Sequence, residues 1–373
     1  MNPFSYGTIV RGHHFYDRKE ECAHLVKTLS GGNNVVFYAP RRFGKTSLVF
    51  RVIEHLEKQG FLCIYFDFMT AFSPESFVRL YTKALSAKQT NLKKFAQTFA
   101  AAIKAIRPVL GFGTDGAPEF SIDFAHATIN ETVISQLLDM PETLANAGKQ
   151  RVIVFFDEFQ EVEKLNSIHF EGLLRSKIQQ QRNTNYLFFG SKTHLLKELF
   201  NNKKRAFYNA ASQMTIGPLP QQDTIKYLRK RFAESGIVLN AAMAKYMISA
   251  TSDIPHYIQL LAAETWQYMV NSRKLVTKKI IDNCIARMIA FKSDYYMELF
   301  DRQSQSQKQL LQALTVEGKN IFSTAYIHAH RLPSASTLQR AINKLINEGV
   351  IEKVNDEYFI ADPFFKRFIV SIS

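Results

Sequence analysis

Apolar residues in this chain follow two rhythms. Residues 35–38 (VVFY), 61–68 (FLCIYFDF), 152–156 (VIVFF) and 185–189 (NYLFF) are short runs with few polar interruptions. A run without alternation is buried on both faces, as strands inside a parallel sheet are. Between these runs apolar residues recur every three or four positions. That spacing predicts helices near 17–30, 48–53, 73–82, 83–106, 128–147, 159–166 and 169–182, with a last strand at 213–219. Asp17 with Glu20 three residues on reads as an N-cap for the first helix, which Gly31-Gly32-Asn33 ends. Strands alternating with helices predict an α/β core over residues 34–220, doubly wound on a mainly parallel sheet.

Two stretches break the alternation. Within 73–148, GFGTDG at 111–116 and the alternating EFSIDF at 119–124 predict a β-hairpin in an insertion to the core. From 221 onward only the helical rhythm remains. Segments 222–235, 240–249, 255–268 and 277–299 predict a helical lid spanning 221–302, and the polar QSQSQK at 303–308 reads as a linker. Beyond it come helices at 309–314, 322–330 and 334–348, then a hairpin around Asn355-Asp356. Three helices and a two-stranded wing make a winged-helix plan for 303–373, and residues 1–33 read as an N-terminal helical extension.

The first strand runs into the chain's most informative stretch, APRRFGKTS. Strand, turn and a helix opening on Gly44-Lys45-Thr46 make a phosphate cradle, the turn's N–H groups and the helix's positive end facing an anion. Backbone from Ala39 through Pro40, Arg41, Arg42, Phe43 and Gly44 to Ser47 would wrap the phosphates of a nucleotide. Lys45 would reach the β- and γ-phosphates and Thr46 would hold Mg²⁺. The usual pattern has Gly where Ala39 stands, so strain arises only if that position needs a positive φ. The run at 152–156 ends on Asp157-Glu158, at the strand end where open α/β sheets bind ligands. Asp157 would join Thr46 in holding Mg²⁺, and Glu158 would orient or deprotonate water. Ser191, after the strand at 185–189, is a candidate γ-phosphate sensor or an ordinary helix N-cap. Arg205 could stabilise a transferring phosphoryl group, in its own subunit or a neighbour's.

Composition adds a partner class. The 373 residues carry a formal net charge of +14, which favours a polyanion, nucleic acid before membrane surface. Helix 334–348 would expose Thr337, Gln339, Arg340, Asn343 and Lys344, residue types that meet phosphates and base edges of duplex DNA. Three scattered cysteines fit reduced thiols in a cytoplasmic protein, and the first fifteen residues lack a signal peptide's apolar core.

With those residues in view, the chain resembles a family of prokaryotic P-loop ATPases abundant in archaea and also found in Bacteroidetes. The family is AAA-like and close to STAND signalling ATPases and archaeal origin-recognition ATPases. The resemblance rests on NPFSYG from Asn2, FYDRKEE from Phe15, APRRFGKTSL from Ala39, FDEFQE from Phe156 and FGS from Phe189. IPHYIQLLA from Ile254 and YFIADPFFKRFI from Tyr358 complete it. It implies ATP binding and hydrolysis by a doubly wound P-loop core with a helical lid and a winged helix. Ala39 departs from the pattern, as does Asp253, where relatives resemble Gly-x-Pro. Two roles stay open: a slow Mg²⁺-dependent ATPase switch associated with DNA through Arg340 and Lys344, or a signalling scaffold whose winged helix packs on the core and whose partner is a protein or a second copy.

Overall fold

The computed structural model describes residues 2–8, 17–113, 116–124, 128–271, 275–354 and 356–373. Phe15 and Asn355, on which parts of the sequence reading rest, lie outside the described residues. The chain divides into two compact units, Arg18–Gly217 and Pro218–Ser373, the latter with the residues before Arg18.

In the first unit α1 (Lys19–Ser30), β1 (Val35–Tyr38), α2 (Lys45–Lys58), β2 (Leu62–Asp67), α3 (Pro74–Ser86) and α4 (Leu92–Ala102) come first. A hairpin of β3 (Arg107–Phe112) and β4 (Pro118–Asp123) follows, then α5 (Glu131–Gly148), β5 (Val152–Asp157), α6 (Phe170–Gln180), β6 (Thr184–Gly190), α7 (Thr193–Asn201) and β7 (Ser212–Thr215). Five strands form one sheet in the order β2-β5-β6-β1-β7, every pair parallel. β1, β5 and β6 are buried at every position, as unbroken apolar runs require. Aromatic rings knit one face of the sheet to its helices; Phe77 and Phe170 lie 4.8 Å apart and Phe159 and Phe188 lie 4.6 Å apart. Such pairs each add about 0.5–1.5 kcal/mol beyond their buried area. Parallel pairing brings the ends of β1, β6, β5 and β2 to one edge, with Tyr38 beside Gly190 and Asp67 beside Asp157.

Local chemistry overrode periodicity in several places. The helix expected over 83–106 is two helices, because the Asn91 side chain caps the Lys94 N–H at 2.9 Å and starts α4 afresh. Asp17 is not the N-cap of α1: Arg18 holds that place in a left-handed conformation, φ 71°, without a side-chain cap. The segment at 159–166 is a 3₁₀ helix, Phe159–Ile168, rather than an α-helix. Ser212–Thr215 is shorter than the strand read from sequence, Gly217 and Pro218 lying just beyond its end.

The second unit holds α8 (Gln221–Ala233), α9 (Ala241–Ala250), α10 (Pro255–Met269), α11 (Lys278–Phe291) and α12 (Ser293–Asp301). The helix expected over 277–299 therefore breaks at Lys292. The winged-helix part is α13 (Gln305–Val316), α14 (Thr324–Ala329), α15 (Ala335–Asn347), β8 (Ile351–Val354), β9 (Glu357–Ile360) and α16 (Pro363–Ile372). The expected linker at 303–308 is instead the start of α13. Gln307 accepts the Ser304 N–H at 3.0 Å in a capping box, and Gln303 and Gln307 are buried. Among the described residues no helix is long and apolar enough to cross a membrane.

The wing is anchored through a glycine. The Gly318 carbonyl accepts the Tyr358 N–H at 2.9 Å, and a Cβ at Gly318 would overlap the Tyr358 carbonyl oxygen. Gly318→Ala is expected to lower the thermal midpoint of winged-helix unfolding, by overpacking worth about 1–3 kcal/mol, without changing nucleotide affinity. Differential scanning calorimetry beside nucleotide titration checks this; an unshifted midpoint means the contact does not hold the wing.

Candidate functional site

The site begins where β1 runs out. Ala39, Pro40 and Phe43 of the connecting loop are buried, Arg41 is half-buried, and Arg42 and Gly44 are exposed. Gly44 is the N-cap of α2 at φ 81°, a conformation that costs a glycine nothing. Arg42 shares the left-handed region at φ 68°, whereas Ala39 is absent from the positive-φ residues. The strain that Ala39 would suffer in place of Gly therefore does not arise. No side chain caps α2 and no acidic residue stands in its first turn, so its positive end is left for an anion. Thr46 and Ser47 sit in that first turn, half-buried and buried.

A buried arginine braces the loop from behind. The Arg18 guanidinium donates to the Phe43 carbonyl at 3.4 Å, to the Gly217 carbonyl at 2.5 Å and to Glu21 at 2.9 Å. It joins the cradle to the last residue of the core. Sequence reading missed this role, because its partners are two backbone carbonyls that no motif records.

Lys45 crosses from α2 to the end of β5. Its Nζ lies 2.9 Å from Asp157 Oδ1 and 2.7 Å from Glu158 Oε1, and 5.4 Å from the centre of the Phe189 ring. Asp157 Oδ1 also accepts the Glu158 N–H at 2.8 Å, and Asp157 Oδ2 accepts the Tyr65 hydroxyl at 2.6 Å. Glu158 stands at φ 47°, a left-handed turn directly after the strand. Its Oε2 accepts from Gln160 Nε2 at 2.6 Å, from the Ser191 N–H at 3.0 Å and from Ser191 Oγ at 2.8 Å. Burial opposes ionisation of Glu158, but the Lys45 charge and the bonds from Lys45, Gln160 and Ser191 hold its carboxyl down at about 2.

The predicted residues thus divide. Lys45, Asp157, Glu158 and Ser191 form one hydrogen-bonded cluster, with Thr46 next to Lys45 in the chain. Ser191 is not a helix cap, since Lys192 holds that place for α7. Arg205 is engaged elsewhere, 2.6 Å from Glu171 and 2.9 Å from Glu163. Tyr65 and Gln160 were not predicted. Gln160 follows Glu158 by two positions in FDEFQE, which offered the only sequence signal; nothing in the strand marked Tyr65.

Residues 15–188 match a family model described as an ATPase domain predominantly from Archaea. Residues 294–371 match one described as a probable winged helix domain. An ATP-binding protein of Methanocaldococcus jannaschii is 24% identical over 288 residues, 72% of this chain and 77% of the relative. A second from that organism is 22% identical over 315 residues, 81% and 82% of the two chains. In fold the chain is similar to the Walker-type ATPase of Pyrococcus abyssi, with TM-score 0.66, 17% identity and 99% of each chain covered. It is also similar to the ORC2 protein of Aeropyrum pernix, solved in ADPNP and ADP complexes, with TM-score 0.56, 12% identity and coverage of 100% of this chain and 98% of that one.

The electrostatics make a stability prediction. In the parent, depressed Glu158 contributes stability that is complete above about 4.5 and is lost as pH falls toward 2. Lys45→Met removes the cation from the Asp157 and Glu158 carboxylates, so Glu158 takes up protons at higher pH than before. The variant is expected to be less stable by about 3–5 kcal/mol at pH 8, with the deficit shrinking as pH falls toward 4. Denaturant unfolding at both pH values measures it; a deficit that stays constant rules out the charge account.

Proposed function

We propose, from the match of residues 15–188 to an archaeal-type ATPase domain and of 294–371 to a winged helix, a slow, Mg²⁺-dependent, cytoplasmic ATPase that acts as a nucleotide-controlled switch associated with duplex DNA. The single observation carrying the catalytic half is the Lys45–Asp157–Glu158–Ser191 cluster at the sheet edge beside the open end of α2. A buried and a half-buried carboxylate face one ammonium there, which leaves the pair of acids with one more negative charge than Lys45 supplies positive. That donor set fits a divalent cation, which Thr46 and Asp157 would hold. When bound, Mg²⁺ supplies charge neutralisation for the β- and γ-phosphates.

The protein's own part follows from the hydrogen bonds. The turn N–H groups and α2 bind the phosphates, and Lys45 exchanges its carboxylate partners for phosphate oxygens. That exchange removes one contact from Glu158 Oε1, which then has an oxygen free to take a proton from water. Gln160 and Ser191 keep the other oxygen fixed, so the base stays oriented while it works. Without nucleotide the Lys45 charge holds Glu158 a weak base, and the transfer of Lys45 to phosphate makes it a stronger one. Arg205 enters the reaction only if Glu171 and Glu163 release it.

The DNA half rests on α15. It buries Leu338, Ala341, Ile342 and Leu345 and exposes Gln339, Arg340, Asn343 and Lys344 on the other side. Gln339 and Asn343 bond each other at 2.9 Å, Arg340 meets Thr337 at 3.4 Å and Lys344 meets Glu348 at 4.0 Å. These are weak surface contacts that phosphates and base edges can replace.

Glu158→Gln is expected to lower ATP turnover about 10²–10⁴-fold and leave ATP affinity within a few-fold of the parent. Equal losses in both would make Glu158 a binding residue and not the base. Arg340→Ala with Lys344→Ala is expected to weaken duplex DNA binding and flatten its log–log salt dependence by about 2. Duplex affinity unchanged in that variant, with turnover intact, would move the assignment to a signalling ATPase with a protein partner.

A further inference from the structure

The insertion between β2 and β5 carries a surface that the ATPase chemistry does not use. Residues 76–114 contain seven Lys or Arg and no Asp or Glu. Four of the seven are already occupied. Lys83 pairs with Glu119 at 3.1 Å and Lys88 with Glu57 at 2.6 Å, Arg79 lies 5.6 Å from the Phe124 ring, and Arg107 stands opposite Asp123 across the hairpin. Lys93, Lys94 and Lys104 remain, all exposed, and among the described residues none of them has a carboxylate within ion-pair distance.

The neighbouring hairpin shows apolar groups to solvent. One of its faces packs inward through Phe120, 4% exposed, 4.8 Å from Phe95 and 5.5 Å from Phe99 of α4. The same face carries Leu110 and Phe112, opposite Phe120 and Pro118, and these are 45% and 81% exposed. The helices cover the hairpin's base and leave its outer end bare. Residues 103–106 turn α4 back into β3, so Lys93 and Lys94, at the start of α4, lie toward the end of the hairpin that bears Phe112. Among the described residues, an aromatic ring left 81% exposed thus stands toward the same end as two lysines without a carboxylate partner.

We propose that α4 and the β3–β4 hairpin form a binding surface for single-stranded nucleic acid, in which Lys93, Lys94 and Lys104 track the phosphates and Phe112 stacks on a base. A single strand is the ligand that needs both halves of this chemistry. Its backbone is a line of negative charge, and its unpaired bases offer flat faces to an exposed ring. A duplex hides those faces and would leave Phe112 without a partner. The surface is separate from α15 and from the Lys45 cluster, so it stands or falls independently of the duplex assignment.

The test uses the full chain and a fluorescein-labelled oligo-dT, followed by anisotropy against salt. The parent should bind it more tightly than a duplex of equal length at the same salt. Lys93→Ala with Lys94→Ala should weaken binding at least tenfold and flatten the log–log salt slope by about 1.4. Phe112→Ala should weaken it about tenfold with the salt slope unchanged. All three side chains are exposed, so the variants should keep the parent's thermal midpoint and ATP affinity. Arg340→Ala with Lys344→Ala should leave oligo-dT binding at the parent value. Failure of the parent to bind oligo-dT, or binding that the hairpin variants leave unchanged, overturns the proposal. So does capture by vesicles of anionic phosphatidylglycerol without any binding of oligo-dT.

Discussion

A buried ammonium held between a buried and a half-buried carboxylate is the constraint from which the first unit takes its form. Lys45 lies within hydrogen-bond distance of Asp157 and Glu158 together, and its charge helps hold the Glu158 carboxyl down against the effect of burial. The interaction demands that the start of α2 and the end of β5 meet, although β6 lies between β1 and β5 in the sheet. Only a parallel arrangement with all strand ends on one edge permits that. The loop then has to reverse sharply to launch α2, and Gly44, the left-handed Arg42 and the Arg18 brace are how it does so. The same groups that would meet a nucleotide therefore also hold the fold at this edge.

Close approach is the second condition, and it explains why small residues sit where they do. Gln160 reaches Glu158 by crossing directly over Gly190, where a Cβ would collide with the Gln160 amide. A side chain at Gly190 would therefore push the Gln160 amide from its place, an effect of contact and not of backbone conformation. One residue later Ser191 offers both its N–H and its hydroxyl to the same carboxylate oxygen. The left-handed turn at Glu158 aims the carboxylate at these donors, and Tyr65 fixes the other acid through Asp157 Oδ2. The run FDEFQE and the run FGS are two halves of one device, which explains their short, polar-ended form.

This division between local pattern and long-range contact accounts for what the sequence made legible. The apolar runs of β1, β5 and β6 announced a buried parallel sheet because burial on both faces leaves no alternation to misread. Lys45, Asp157, Glu158 and Ser191 were legible because strand ends are the positions from which side chains can meet. The reading failed where one polar side chain outweighed a periodic face: Asn91 divided α3 from α4, and Ser304 with Gln307 turned an apparent linker into the start of α13. Composition misled there, since QSQSQK is polar throughout yet Gln303 and Gln307 are buried. Tyr65, Arg18 and Gly318 were illegible for another reason. Each acts on a partner distant in the chain, and their environment is created only by folding.

Charge shows the same limit from the other direction. A net charge of +14 implies a polyanion but says nothing of where it would bind, because pairing decides which cations remain available. Arg205 illustrates the point: read from sequence as positive charge for a transferring phosphoryl group, it pairs instead with Glu163 and Glu171. Lys83 and Lys88 are withdrawn in the same way, whereas Lys93, Lys94 and Lys104, a few residues along, are not. The basic character of the insertion thus shrinks, once the ion pairs are counted out, to three cations, of which Lys93 and Lys94 lie toward the end of the hairpin that bears the exposed Phe112 ring. On α15 the cations are held only by contacts at the outer limit of hydrogen-bond and ion-pair distance. Available charge, not total charge, distinguishes these two surfaces from the rest of the molecule, and the presence of an unpacked ring on one and amide side chains on the other distinguishes them from each other.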